Sequence, residues 1–323
     1  MNDTPSAPFT FRDAASAWLR AEQPMIKPSS LVKYRSDLSH HLLPVLGDLP
    51  VSDISRDRIR ALISDLLTGD AGTFPPRMPL SPKSVLCVLT LFKTILRYTK
   101  TELGQEVRDF TGITVRQNRR PLRTFSEEEQ RALNRYLLSD PSPTNAGILL
   151  GLYLGLRIGE VCALKWEDIS LKERTLLVRH TMLRLPDAGA QSGARTRVLL
   201  SSPKSQSSYR RIPLPDELCA YLAKLRRPKN AYLLSGCPDV CTEPRTMTNR
   251  FRSVMRRLGI RSVTFHTLRH TFATRCMEIG FDVKSLSEIL GHANVSITLN
   301  RYVHPSMEFK RDNMSRIGKM ITR

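Results

Sequence analysis

Residues 116–123, Arg-Gln-Asn-Arg-Arg-Pro-Leu-Arg, divide the chain in two. A basic run that carries a proline and almost no apolar side chain cannot continue a packed element, so it reads as a linker. Immediately after it, Ser126 and Glu129 have the spacing of a capping box, which opens a new helix. With 323 residues available, each side of the linker has ordinary domain length. The expected division is a helical unit over 1–115, a linker over 116–125 and a second unit over 126–323.

Upstream of the linker the apolar period is helical. It runs through Phe11–Ala21, Leu31–Leu46, Ile54–Leu67 and Ser84–Tyr98, with Val85, Val88, Leu89, Phe92, Ile95 and Leu96 down one face. Pro28 with Ser29 and Ser30 starts the second of these helices, Gly47-Asp48-Leu49-Pro50 breaks the chain, and Gly69–Pro82 is a Gly/Pro-rich loop. Downstream, helices are expected at Asn145–Leu156 and Gly159–Leu164. The pattern then turns β-branched and alternating over Thr175–Leu185, Arg197–Ser201 and Arg210–Pro213. That predicts a three-stranded sheet with a loop at Pro186–Ala194, after which helical signals run to the end. The fold class expected is mainly α with a small antiparallel β-sheet.

Fifty basic residues against 30 acidic ones give a net charge of +20. Of the basic residues 37 are Arg, the side chain suited to bidentate phosphate contacts. Residues 1–120 hold 17 basic and 12 acidic side chains, whereas residues 121–323 hold 33 and 18. A polyanionic partner is therefore expected mainly against the second unit. Charge alone leaves nucleic acid, an anionic membrane and simple solubility open. No run approaches the ~20 apolar residues of a membrane span, and the N-terminus lacks the order of a signal peptide. Both features favour the cytoplasm, in association with the nucleoid. The six cysteines are scattered, and Cys237 with Cys241 has no second pair at zinc-finger spacing, so reduced thiols and no metal are expected.

Four separated segments carry chemistry. They are Gly155-Leu-Arg-Ile-Gly-Glu160, Pro203-Lys-Ser205, Phe265-His-Thr-Leu-Arg-His-Thr271, and Leu290-Gly-His292 followed by Arg301-Tyr302. Each is weak alone. With seven His and 37 Arg, a His-x-x-Arg pair arises by chance nearly once, and any of the eight tyrosines is ordinarily a packing residue.

In this order and at these distances the segments resemble the catalytic domain of tyrosine recombinases, the phage integrases. The resemblance covers roughly 125–305 and extends more loosely to 10–103, which resembles the helical, SAM-like core-binding domain of that family. It implies a two-domain DNA clamp whose catalytic residues are Arg157, Lys204, His266, Arg269, His292 and Tyr302. Attack on a phosphodiester requires a nucleophile, neutralisation of the non-bridging oxygens and a proton for the leaving 5′-oxygen. On this resemblance Arg157 and Arg269 grip the phosphate and His292 donates a further hydrogen bond. Tyr302 attacks to form a 3′-phosphotyrosine. His266 is the base, and Lys204 is the general acid. Fixed cations stand where a metal could, so neither metal nor ATP nor any other cofactor is implied. Glu160, one turn after Arg157, either orients it or is a solvent-facing carboxylate; His270 supports its neighbours; His304 has no catalytic part.

Three rival readings explain less. A type IB topoisomerase shares the Arg, Lys, Arg, His and Tyr chemistry, but the compact helical N-terminal unit and the spacing favour recombination. A non-catalytic DNA-binding descendant would have an eroded catalytic set, and a membrane-surface protein explains only the charge. Within the family, the long Pro186–Ala194 loop favours integrases of phages and conjugative elements over chromosome-dimer resolvases. The chain starts almost directly with the helical unit, so a separate arm-site-binding domain is not expected.

Two helices bear on partners. In Arg245–Leu258, Met247, Phe251, Val254 and Leu258 line one face, and Arg245, Asn249, Arg252 and Arg256 line the other. That basic face is either solvated or, by resemblance, turned to double-stranded DNA. In the tail 306–323, Met307, Met314, Ile317 and Ile321 form a stripe with Lys310, Arg311, Arg316 and Lys319 around it. The stripe packs on its own domain or, by resemblance, on a neighbour within a tetramer on DNA. Directionality or host DNA-bending factors are further expected partners.

Overall fold

The computed structural model describes residues 8–69, 78–117, 122–186, 196–201, 209–302, 307, 311 and 314–315. The chain divides into two compact units, Met1–Arg120 and Pro121–Arg323, each with its own apolar core.

The first unit is helical: α1 (Phe11–Glu22), α2 (Pro28–Asp37), α3 (Leu43–Leu46), α4 (Arg56–Thr68) and α5 (Pro82–Thr101). Side-chain caps from Thr10, Ser55 and Ser81 start α1, α4 and α5. The expected single helix over 31–46 is interrupted by a π turn at Leu38–Leu42, where the Leu43 N–H donates to the Leu38 carbonyl. Pro44 follows at once; it has no N–H to give to the turn before it, so the ladder is already out of i→i−4 register there. Phe92 centres the core, with ring centroids 5.7 Å from Phe11 and 5.1 Å from Phe110.

The second unit contains α6 (Glu127–Ser139), α7 (Pro143–Leu154), α8 (Ile158–Ala163), α9 (Asp216–Ala223), α10 (Pro244–Arg257), α11 (Phe265–Glu278), α12 (Val283–Leu290) and α13 (Val295–Tyr302). The Ser126–Glu129 capping box opens α6. Helix α7 is apolar all round and buried from Asn145 to Leu152, and it packs against α11. The unit's core therefore forms on both sides of it.

Five strands follow α8: β1 (Ile169–Ser170), β2 (Thr175–Val178), β3 (Thr181–Pro186), β4 (Thr196–Ser201) and β5 (Arg210–Pro213). They form two antiparallel sheets, β1-β2-β5 and β3-β4, rather than the one three-stranded sheet expected. The expected strand over 175–185 breaks at Arg179 and His180. The β2-β5 ladder ends at Val178, opposite Arg210 where β5 begins, and the next residue, Arg179, turns its guanidinium to pair with Asp168 and Glu167. In β2-β5 the register sets Leu176 opposite Ile212 and Val178 opposite Arg210. Residues 187–195, which include all of the expected loop except Pro186, lie outside the described residues.

Candidate active site

Two turns between helices bring the site together. Gly155 ends α7 at φ +64° and Gly291 ends α12 at φ +65°, the left-handed conformation that a side chain disfavours. A Cβ on Gly155 would lie 2.7 Å from both Leu290 and Phe272, so the α7–α8 turn sits directly against α11 and α12.

Arg269, on α11, is 1% exposed. Its Nη1 donates to the Gly155 carbonyl at 2.8 Å, and its Nη2 donates to the Leu290 carbonyl at 2.7 Å and meets His292 Nε2 at 2.8 Å. The guanidinium thus satisfies carbonyls at two helix C-termini and joins the Arg157 and His292 segments. Burial, and then the charge of Arg157, lower its pKa to about 9. Because an arginine can only donate, His292 Nε2 is the acceptor. Its Nδ1 therefore carries the proton and donates to Thr298 Oγ1 at 2.8 Å. Burial and the surrounding guanidiniums, Arg269 first, hold His292 neutral, with a pKa of about 3.

Arg157 precedes α8 and is half-buried. Its Nη1 donates to Glu160 Oε1 at 2.7 Å, and its backbone N–H donates to Glu160 Oε2 at 3.0 Å. Glu160 is 4% exposed and therefore not a solvent-facing carboxylate. It also receives two bonds from Arg210 of β5, at 3.2 and 3.0 Å, and Arg210 Nε donates to the Ile289 carbonyl of α12. Burial alone would raise the Glu160 carboxyl; Arg210 and then Arg157 overcome it and hold the pKa at about 2. Alternation along β5 points Arg210 and Ile212 inward together. That parity is the sequence signal for Arg210, a residue missing from the expected set.

Tyr302 closes α13 and is buried against Ala273, Cys276, Leu286 and Leu290. Burial pushes its phenol up from the usual value, although Arg269, Arg301 and Arg157 oppose that. Its hydroxyl is 2.8 Å from His270 Nδ1. The expected base, His266, stacks edge-on against His270 at 4.4 Å between centroids and has no hydrogen bond to the phenol among the described residues. Desolvation of its ring, with Arg269, Arg301 and Arg157 nearby, lowers the His266 pKa to about 4. Lys204 and His304 lie outside the described residues.

Arg245, Asn249, Arg252 and Arg256 are all exposed on α10, opposite buried Met247, Phe251 and Val254. Arg252 and Arg256 line a cavity of about 300 Å³ with Gly259, Arg261 and Ser262. Met307 and Met314 of the tail are exposed, whereas Ile317, Ile321, Lys310, Arg316 and Lys319 lie outside the described residues. No helix among the described residues is long and apolar enough to cross a membrane.

The side chains brought together are two guanidiniums, a neutral imidazole and a phenol, enough to hold an oxyanion beside a nucleophile. The phage integrase family matches residues 123–308, and its N-terminal SAM-like domain matches residues 10–67. The chain belongs to the phage integrase family, whose members are tyrosine-type site-specific recombinases. It is 26% identical to a XerC-like tyrosine recombinase of Caldanaerobacter subterraneus over 91% of this chain and 79% of that protein. It is 28% identical to the transposase of transposon Tn916 from Enterococcus faecalis, over 62% of this chain and 52% of that protein. In fold it is similar to the Tn1549 transposon integrase solved with transposon right-end DNA: TM-score 0.77, 19% identity, 96% of this chain and 99% of that one.

Proposed function

We propose that the chain cuts and rejoins double-stranded DNA at the ends of a mobile element or phage genome, with residues 126–323 as the catalytic unit and residues 1–115 as a second DNA-binding unit. Tyr302 attacks the scissile phosphate and forms a 3′-phosphotyrosine, which stores the bond for religation. Arg157 and Arg269 neutralise the non-bridging oxygens. Lys204 protonates the leaving 5′-oxygen. His292 can donate to the phosphate only after leaving Arg269, because its Nε2 is an acceptor in the present arrangement. The exposed basic face of α10 lies along the duplex, and the tail joins protomers into a tetramer. Directionality or DNA-bending proteins would act on that assembly.

The observation that carries this reading is the convergence of Arg157, His292 and Tyr302, from segments up to 145 residues apart, around the buried Arg269 guanidinium. The mobile-element role is supported by the Tn916 relative. The test uses supercoiled plasmids that carry, once or twice, the DNA flanking the coding region. Recombinant products should form only when two sites are present. Relaxation of a one-site plasmid with no recombinant from the two-site plasmid would favour a topoisomerase instead.

A further inference from the structure

Resting on that reading, we infer that His270, and not His266, takes the phenolic proton of Tyr302 during attack. The two groups are in contact: His270 Nδ1 and Tyr302 Oη are 2.8 Å apart, and both residues are at least nine-tenths buried. The phenol has a single proton and no other hydrogen-bond partner among the described residues. If His270 donated from Nδ1, that proton would be left without an acceptor in an apolar pocket of Ala273, Cys276, Leu286 and Leu290. Acceptance at Nδ1 satisfies the phenol and fixes the tautomer with the proton on Nε2.

The titratable and charged groups around His270 are His266 and Arg269 from its own helix and Arg301 from α13, beside Tyr302 itself. No carboxylate is paired with it among the described residues. Burial, then His266, Arg301 and Arg269, lower its pKa to about 4, so the free enzyme keeps it neutral and able to accept. A neutral imidazole in such a field is a weak base. Binding of the scissile phosphate changes this, because its negative charge lies against Arg269 and offsets the cationic field. The basicity of His270 thus rises when substrate arrives, which restrains Tyr302 in the absence of DNA. In the step itself the Tyr302 Oη–P bond forms and the P–O5′ bond breaks. The phenolic proton passes to His270 Nδ1, and the leaving oxygen takes its proton from the general acid.

His270→Asn separates positioning from proton transfer. The Asn carbonyl oxygen can stand near the place of Nδ1 and accept the phenol's hydrogen bond, but it cannot take up a proton. Single-turnover cleavage of a nicked half-site should fall by about 10²–10⁴-fold. The acid limb of the pH–rate profile should disappear, while half-site affinity stays within about twofold. Substituting 3-fluorotyrosine at position 302, a more acidic phenol, should restore part of the rate in His270→Asn. Wild-type rate and profile in His270→Asn, with loss of the acid limb in His266→Asn, would overturn the assignment and return the role to His266. If His270→Asn does not fold, nitrogen NMR of ¹⁵N-histidine protein decides. An unprotonated Nδ1 on His270 supports the proposal, and a protonated Nδ1 overturns it. Adducts that form normally on Tyr302 while these results fail would refute only the proton assignment. Adducts on another residue would refute the nucleophile as well.

Discussion

Replacing Arg210 with Met would leave the Glu160 carboxylate buried with Arg157 as its remaining cation. The wild-type carboxyl sits at about 2 instead of its ordinary 4.5, and that difference is worth about 3 kcal/mol to the charged, folded form. The largest opposing attraction comes from Arg210, whose side chain is 6% exposed, so solvent screens it little. Loss of one partner from a buried ion pair costs about 3–5 kcal/mol, which agrees. Urea unfolding at pH 7 should show Arg210→Met destabilised by about 3 kcal/mol. The sign of the pH effect follows from the lowered carboxyl. Its contribution is complete above about 4.5 and is lost as pH falls through about 2. The gap between wild type and variant should therefore narrow over that window, as far as both remain folded. Arg157 would also lose part of its support, so half-site cleavage should fall more than half-site binding. A loss below about 1 kcal/mol, or a gap that does not change with pH, would refute the claim that Arg210 holds Glu160 charged.

Other perturbations reach the remaining parts of the site. Gly155→Ala imposes a side chain on φ +64° and on a 2.7 Å approach to Leu290 and Phe272, so thermal unfolding should show a loss of about 2 kcal/mol or more; a neutral result would mean the turn can relax. Replacing Arg252 and Arg256 with Ala should flatten the salt dependence of DNA binding by about 0.9 in log–log slope for each phosphate no longer neutralised, and an unchanged slope would leave that face merely solvated. Lys204→Ala should cleave normal DNA slowly but recover on a substrate with a sulfur-bridged 5′ leaving group, which departs without a proton; equal defects on both would make Lys204 a positioning residue. Deleting residues 306–323 should spare half-site binding and abolish tetramers on full sites by mass photometry, unless the tail packs only on its own domain.

What the sequence revealed divides along physical lines. The helix at Asn145–Leu156, the capping box at Ser126 and Glu129, and the two faces of α10 are local patterns, and all three stand in the structure. The strand pattern was legible as alternation but not as pairing. Arg179 and His180 contain no Gly or Pro to mark the break, and the partners that Arg179 turns to are carboxylates eleven and twelve residues upstream. Arg210 is hard to single out in the sequence because its partner, Glu160, is 50 residues away. For His270 the sequence implies only support for its neighbours, since it cannot say which of two histidines one helical turn apart meets a tyrosine on another helix.

The central claim is that Tyr302 is the residue joined to DNA. A nicked suicide substrate traps the covalent complex, because the short cleaved strand diffuses away before religation. Digestion and tandem mass spectrometry of the trapped complex should place a 3′-phosphonucleotide on the peptide containing Tyr302, and Tyr302→Phe should give no adduct while still binding the half-site. An adduct on Tyr209 or any other residue, or a Tyr302→Phe variant that cleaves at the wild-type rate, would contradict the account.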